Sequence, residues 1–580
     1  MKEMRILHFV TDSLADFEKM SEKAAKAGAT HVIISDMPRS RWMWERDLSD
    51  PYTNWSMGQC QIFKLVCPPE LEKYLPVEHI WECFELVRER CEILKKHGLK
   101  PALFSNEPFW LPEEVYREHP DWRGARCDHP RRARKPYYSP SIDNPEVLEM
   151  YRKAVEKLVD ATGIDFIHFK TNDCGGGISW STGTYTGPNG PAEYRNRSMA
   201  DRICGFLNAV QEGGKGITVS LESDIGLKEP EISIGSSWHS IRENQILNKR
   251  DNTGKIVLST NLNFDLSKQP VKKLPGVLKM LKDMCRIFQA DTEVKMIEIP
   301  RSDLEEAMPC YQEALERKIQ GIGDCYGVLE GIAEKLAGAE GAAHLVNAWS
   351  YLEDMEQHYK HAGIDLVIMG CLHQRWINRP FLLFPEELSE EKKKYYRDYQ
   401  FQALSEKEAE DLMNLQGIEI VRGFTSAYLI RQTFGMVRGS LRAAVAELEK
   451  AGETESIRRT ILRLQVLDCF YQNIVNAVDF QELVDRTDYE AEPPRSLRWP
   501  TRNDSRYEDF QRITRNEIDN VYRLAGLLEK DMESIILCDV PEKEDVFVFS
   551  TKLREQLIRK AEMMLDHMND GMRVYESNNI

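Results

Sequence analysis

Regular alternation between two kinds of segment constrains the fold of this 580-residue chain more than any other feature of its sequence. Over residues 1 to about 330, short runs of β-branched and apolar residues alternate with stretches whose apolar residues recur at helical spacing. This alternation is typical of an α/β architecture built on a parallel sheet. Eight runs are predicted to form strands, at residues 5–11, 30–36, 100–106, 165–171, 216–222, 255–261, 293–298 and 319–325.

The number of strand–helix units distinguishes between two parallel folds. Eight units in about 330 residues favour a (β/α)8 TIM barrel with long insertions, although an open doubly wound sheet has similar local patterns. An open sheet that binds a dinucleotide carries GxGxxG after its first strand, and this chain has no such segment there. We therefore predict an α/β fold with a (β/α)8 catalytic barrel over residues 1–330.

The sequence pattern changes beyond the predicted barrel. Residues 331–400 are predicted to form a mixed α/β connecting segment, and residues 401–580 a mainly α-helical C-terminal domain. Within 439–485, apolar residues recur at helical spacing on both sides of Ala451 and Gly452, which predicts a helical hairpin. We expect this region to pack on the barrel or to mediate a homodimer.

Charge and composition exclude several classes of function. The formal net charge of −17 disfavours nucleic acids and anionic membranes as partners, because both reward concentrated positive charge. No apolar segment has the length of a membrane span, and the first residues lack the pattern of a signal peptide, so we expect a cytoplasmic protein. No HxH, HExxH or CxxC spacing occurs, so neither a metal nor another cofactor is predicted.

Carboxylates follow several predicted strands, at the end of a barrel where loops converge and reactive groups lie. Glycoside cleavage needs two carboxyl groups, one to protonate the leaving oxygen and one to attack or to activate water. Asp173 is the predicted acid, because the glycines at 175–177 allow a leaving group to approach closely. Glu298 is its predicted partner, and Glu222 is the alternative.

Other polar and aromatic residues near these strand ends are predicted to hold a small carbohydrate substrate. Tryptophan rings stack on the apolar faces of sugars, amides and carboxylates bind hydroxyl groups, and arginine binds an acidic sugar. The structural alternatives are helix capping or ion pairing, packing of loops, and a salt bridge between domains. The candidates are Asp36, Asn106, Glu107, Trp110, Asn172, Trp238, His239, Asn261 and Arg375, whereas His168 is predicted to be a core histidine.

Four segments in the barrel region occur in a familiar order. They are HPDWRG (119–124), SPSIDNPEVLEMYRKAVEKLV (139–159), FKTNDCGGG (169–177) and RSMADRICGFLNAV (197–210). Together they resemble the barrel domain of bacterial glycoside hydrolases related to the hexosaminidase and alpha-glucuronidase families. The resemblance implies an acid after the fourth strand, which corresponds to Asp173.

One departure from the family pattern affects the mechanism. Hexosaminidases carry an Asp-Glu pair at the place where this chain has Asn172 and Asp173. The nucleophile is therefore left open between Glu298, an activated water and the substrate itself.

The sequence thus predicts a cytoplasmic bacterial glycoside hydrolase of carbohydrate metabolism, exo-acting on small glycosides or imported oligosaccharides. Two alternatives stay open. One is a catalytically inactive carbohydrate-binding barrel protein. The other is a sugar isomerase or lyase on the same fold, with a divalent metal at the carboxylate cluster.

Overall fold

The structure is a computed structural model that divides into two compact units, Met1–Leu262 with Met280–Asp324, and Asn263–Lys279 with Cys325–Ile580. Each unit is described by itself. The residues described are 4–11, 13–45, 57–107, 110–126, 137–170, 199–222, 257–261, 294–299, 321–361, 377–398, 424–487, 506–536, 538–540 and 549–570, with isolated positions at 271, 274, 276–278, 281–282, 285 and 313.

A parallel sheet of seven described strands organises the first unit, in the order β7-β6-β3-β2-β1-β9-β8. An antiparallel pair, β4 with β5, accompanies it. The fold is therefore α/β, as predicted. The strands are β1 Met4–Phe9, β2 His31–Ile33, β3 Lys100–Asn106, β4 Arg123–Arg126, β5 Tyr138–Pro140, β6 Phe166–Lys170, β7 Thr218–Glu222, β8 Val257–Asn261 and β9 Val294–Ile299.

The strand order follows the chain in a cycle. From β1 the parallel strands run β2, β3, β6 and β7 in one direction, and β9 and β8 in the other. A doubly wound sheet instead reverses its strand order at a switch point. Seven of the eight strands predicted from sequence are confirmed, and the described residues do not include a closed ring of eight.

The eighth predicted strand, 319–325, is wrong. Residues from Ile322 onward are helical, and β1 pairs directly with β9 along its whole length. The Asp324 carboxylate accepts a hydrogen bond from the backbone N–H of Gly321, at 3.0 Å, which is the reach-back bond of a helix start. The short apolar run is compatible with a strand or a helix, and this capping bond favours the helix.

Helices connect the strands of the first unit, and local capping sets their ends. Asn144 accepts hydrogen bonds from the N–H groups of Glu146 and Val147, Pro145 occupies the first turn, and Gly163 ends the helix at φ 72°. The helices are α1 Leu14–Lys26, α2 Arg39–Trp42, α3 Val77–Lys96, α4 Glu113–Glu118, α5 Pro145–Thr162 and α6 Met199–Gly213, with short 3-10 turns at Ile62–Lys64, Pro69–Leu71 and Pro120–Trp122.

Alternation along the strands separates two faces of the parallel sheet. On one face, which we call the inner face, Ile6, Ile33, Ala102 and Phe166 form a buried cluster. On the other, Phe9 packs against Phe17 of α1, with ring centroids 5.8 Å apart. Even-numbered positions of β1, β3 and β6 therefore belong to the inner face, and odd-numbered positions belong to the face that the helices cover.

The second unit is mainly helical. The predicted hairpin is confirmed, because α9 ends at Ala451, Gly452 has φ 128°, and α10 begins at Glu455. Gly338, at φ 71°, divides α7 into two helical segments. The helices are α7 Ile322–His361, α8 Glu390–Asp398, α9 Phe424–Ala451, α10 Glu455–Thr487, α11 Arg506–Ile535 and α12 Leu553–Asp566, with a 3-10 turn at Pro385–Glu387 and a parallel pair of β10 Cys538–Val540 and β11 Phe549–Ser550.

Candidate active site

Register across three adjacent strands aligns a first row of polar positions at the carboxyl ends of the parallel sheet. Glu298 of β9 is in register with His8 of β1 on one side and with Asn261 of β8 on the other. Positions in register on adjacent parallel strands share a face of the sheet. Two residues predicted for the site, Glu298 and Asn261, thus occupy one row with a histidine that the sequence analysis did not select.

A second row lies at the carboxyl ends of β3, β6 and β7. Lys170 is in register with Asn106 on one side and with Glu222 on the other. The carboxyl ends of parallel strands meet at one edge of a sheet, where ligands bind in α/β folds. Asn106 and Glu222 are therefore neighbours across a single intervening strand at that edge.

His8 of the first row makes a buried contact with a carboxylate. His8 Nε2 is 2.6 Å from Asp36 Oδ2, and both residues are 8% exposed. The His8 ring packs 4.9 Å from Phe104, which lies 5.5 Å from His168, measured between centroids. An imidazole nitrogen in contact with a carboxylate oxygen is the arrangement of an acid–base pair that shares a proton. The signal that could have identified His8 in the sequence is the alternation along β1, which assigns position 8 to the inner face.

Asn106 is held by residues 57–65, the segment that follows the second strand. Its side-chain amide donates to Gln59 Oε1 at 3.2 Å, and its backbone N–H donates to the Cys60 carbonyl at 2.9 Å. Asn106 is 6% exposed. Two contacting amides offer donors and acceptors in a fixed arrangement, which is what recognition of sugar hydroxyl groups requires. Gln59 was not selected from the sequence.

Glu107 follows Asn106 but has a different environment. Its carboxyl group accepts from the N–H of Ile62 at 2.6 Å, from the Ser105 hydroxyl at 3.1 Å and from the Tyr151 hydroxyl at 2.7 Å. Tyr151 belongs to α5, so Glu107 joins the strand to a helix and to residues 57–65. Burial raises the pKa of Glu107 to about 7, although these hydrogen bonds oppose the rise.

Lys64 supports the same segment from within. Its ammonium group donates to the carbonyl groups of Met57 and Gln59, and lies 5.1 Å from the centroid of the Trp44 ring. Lys64 is 1% exposed, and burial lowers its pKa to about 7. The attraction between Lys64 and Glu107 opposes both shifts. Two buried groups that titrate near neutrality thus hold the segment that orients Asn106.

Trp110 lies in an aromatic cluster. The centroid of its ring is 5.3 Å from those of Trp44 and Tyr137, and Met57 packs against it. Trp110 is only 4% exposed, so protein atoms cover nearly all of the ring. Its predicted stacking on a sugar stays a prediction.

The remaining predicted residues are described only in part or not at all. The structure describes the backbone positions of Glu222, Asn261 and Glu298 at their strand ends. Asn172, Asp173, Trp238, His239 and Arg375 lie outside the described residues. Within the described ranges, no group of three potential metal ligands occurs, and no helix is long and apolar enough to cross a membrane.

No protein-family model matches the chain, and no curated protein matches it. Among solved structures, it is similar to a GH138 enzyme targeting pectin rhamnogalacturonan II, with 8% identity and a TM-score of 0.48 over 100% of this chain and 84% of that chain. It is also similar to the alpha-galactosidase from Lactobacillus brevis, with 13% identity and a TM-score of 0.31 over 57% of this chain and 41% of that chain. A third similar structure is a GH20 catalytic module of the pneumococcal exo-beta-D-N-acetylglucosaminidase StrH, with 11% identity and a TM-score of 0.30 over 58% of this chain and 92% of that chain. All three are glycoside hydrolases.

Proposed function

We propose that this chain is a glycoside hydrolase whose active site lies at the carboxyl edge of the parallel sheet. The observation that carries the proposal is the strand register, which aligns Glu298 with His8 and Asn261, and Glu222 with Lys170 and Asn106, at that edge. Two carboxylates on separate strands, with amide groups beside them, are the groups that hydrolysis of a glycoside requires.

We infer further that the sheet closes into a (β/α)8 barrel. The cyclic strand order supports closure, with β7 and β8 as the two edges among the described strands. Because β1 and β9 are paired directly, an additional strand would lie between β7 and β8. Closure would bring Glu222 and Glu298 to one mouth from opposite sides of that gap.

In the proposed mechanism, Asp173 donates a proton to the glycosidic oxygen as the bond to the anomeric carbon breaks. Glu298, or Glu222 in its place, either attacks that carbon or removes a proton from the attacking water. Direct attack retains the anomeric configuration, and activation of water inverts it. Asn106 and Asn261 bind hydroxyl groups of the ring, and the pair of His8 and Asp36 carries a proton beside Glu298.

A sugar isomerase or lyase is the second candidate. The contact between His8 and Asp36 favours it, because a histidine–carboxylate pair at the sheet edge is suited to removing a proton from carbon. The substrate class is the same in both cases, a small carbohydrate that enters the barrel mouth.

A panel of nitrophenyl glycosides, hexosaminides and glucuronides included, tests the proposal. On a cleaved substrate, Asp173→Asn and Glu298→Gln should each lower kcat by about 10²-fold to 10⁴-fold, the range of acid–base catalysis. Glu114→Gln, at a carboxylate that is 62% exposed on α4, is the matched control and should not change kcat.

Three outcomes of the panel and of companion measurements contradict the proposal in different ways. Unchanged kcat in both site variants removes Asp173 and Glu298 from the mechanism. Cleavage of no glycoside, together with sugar binding by calorimetry, identifies an inactive binding barrel. Rearrangement of a free sugar, seen by NMR and lost in His8→Gln, identifies the isomerase or lyase.

A further inference from the structure

Three arginines converge on one buried carboxylate in the helical unit. Asp468 of α10 is 1% exposed. It accepts from Arg438 Nε at 2.6 Å and Arg442 Nη2 at 3.3 Å, both on α9, and from Arg523 Nη1 at 2.9 Å, on α11. Burial alone would raise the pKa of Asp468, but the arginines, Arg438 foremost, hold it below its usual value. Asp468 is therefore ionised.

The charges at this cluster, Asp468 with its three arginines, do not balance. One arginine suffices to neutralise one carboxylate, so the cluster carries a surplus of two positive charges. Within the described ranges, Asp468 is the only carboxylate in ion-pair contact with Arg442 or Arg523. The surplus is notable in a chain whose formal net charge is −17.

The arginines differ in exposure, and the difference assigns them separate roles. The Arg438 side chain is 14% exposed and also donates to Gln472 Oε1, so it neutralises Asp468 from within. The side chains of Arg442 and Arg523 are 60% and 47% exposed, and each directs one nitrogen to the same carboxylate oxygen. Their remaining N–H groups are available to a ligand in solvent.

Convergence of two guanidinium groups determines the chemistry of that ligand. Guanidinium groups donate paired N–H bonds that match the oxygen spacing of phosphate and carboxylate. Two groups held by a common oxygen lie close enough to bind one small oxyanion together. A surplus of two charges matches a dianion, which selects a phosphate group over a single carboxylate.

We propose that Arg442 and Arg523, positioned by Asp468, form a binding site for a phosphate dianion, either inorganic phosphate or the phosphate group of a small sugar phosphate. The site is independent of the proposed hydrolase chemistry. Fixing the guanidinium groups before the ligand arrives lowers the conformational entropy that binding costs.

Titration calorimetry of the full chain with inorganic phosphate tests the site, in a phosphate-free buffer at constant ionic strength. We expect saturable binding with one site per chain. Arg442→Gln with Arg523→Gln should weaken binding at least tenfold, because hydrogen bonds to charged groups are among the strongest in proteins. A parallel titration with a hexose phosphate distinguishes the two sources, since tighter binding than phosphate alone identifies a sugar phosphate.

A second pair of arginines provides the matched control. Arg458 and Arg459 of α10 are 66% and 48% exposed and pair with Glu455. Arg458→Gln with Arg459→Gln should bind phosphate as tightly as the original chain. Arg442→Gln alone is the variant to use if the double substitution does not fold, because its side chain is the most exposed of the three.

Three results overturn the proposal. The first is equal binding by the original chain and by folded variants of Arg442 and Arg523. The second is the absence of saturable binding by the original chain. The third is a response to phosphate that chloride reproduces at the same ionic strength, since screening alone would then explain it.

Discussion

Buried carboxylates in the two units are stabilised by different partners, and their pKa values shift in opposite directions. Glu107, in the sheet unit, accepts three hydrogen bonds from neutral groups, yet burial raises its pKa to about 7. Asp468, in the helical unit, is equally buried, but contact with arginines holds its pKa below the usual value. Hydrogen bonds from charged donors therefore oppose the effect of burial on a carboxylate more than hydrogen bonds from neutral donors do.

A third buried ionisable group, Lys560, has a single partner of opposite charge among the residues that the structure describes, Glu517. Lys560 and Glu517 have fully buried side chains and contact each other. Lys560 also donates to the Ile377 carbonyl at 2.9 Å, and Glu517 accepts from Asn473 and Asn476 at 2.6 and 2.7 Å. Burial lowers the pKa of Lys560, whereas Glu517 opposes that change. At Lys560 the effect of burial therefore outweighs that of the counter-charge, whereas at Asp468 the contacts with arginine outweigh burial.

The largest predicted effect comes from removing one member of this buried pair. Lys560→Met should lower the free energy of unfolding by about 3–5 kcal/mol, because Glu517 then stays buried without a counter-charge. Urea denaturation measures the change. Lys560→Met combined with Glu517→Gln should recover most of the loss, and a loss under about 1 kcal/mol in the single variant would refute the assigned role of charge.

A pH titration of stability tests the opposite behaviour of Glu107. Its pKa is raised from 4.5 to about 7 in the folded chain, so the folded state binds the extra proton between these values. The free energy of unfolding should therefore fall as pH rises through this window, by an amount on the order of 3 kcal/mol. Glu107→Gln should abolish the fall.

Lys64 provides an internal control for that titration. Its pKa is lowered from 10.5 to about 7, so its contribution to stability should increase as pH rises above 7. This increase should persist in Glu107→Gln and vanish in Lys64→Met. A pH profile identical in Glu107→Gln and the original chain would show that Glu107 ionises normally.

The smallest predicted effect concerns Asp468. Its pKa is lowered from 3.8, so its contribution is fully present above that value and is lost as pH falls further. Asp468→Asn should cost roughly 1–3 kcal/mol of unfolding free energy at pH 7, and progressively less as the pH falls below 3.8. Asp566→Asn, at a carboxylate that is 61% exposed and paired with Lys392, should cost under about 1 kcal/mol.

Part of the candidate site was predictable from the sequence, and part was not. The strand ends at Asn106, Glu222, Asn261 and Glu298 were predicted, because apolar runs and their polar ends are local features. The roles of Gln59 and Lys64 were not, because Gln59 reaches Asn106 from a separate segment and Lys64 holds that segment from within. His8 was within reach of sequence reasoning, since alternation assigns position 8 to the inner face.

Sequence alone determined the elements whose stabilising contacts lie within a few residues. Ser13 caps α1 through Asp16, and Asn144 caps α5 through Glu146, so each helix start is encoded where it occurs. A contact of the same short range, the hydrogen bond from the Gly321 N–H to the Asp324 carboxylate, stabilises a helix start where the eighth strand was predicted.

Only the tertiary structure decided which charges meet. Arg438, Arg442 and Arg523 are 30, 26 and 55 residues from Asp468 in the chain, and helix packing brings them to one carboxylate. Electrostatic attraction depends on distance in space and on burial, neither of which a linear pattern records. The ionisation of each buried group, and with it the proposed phosphate site, therefore arises from packing.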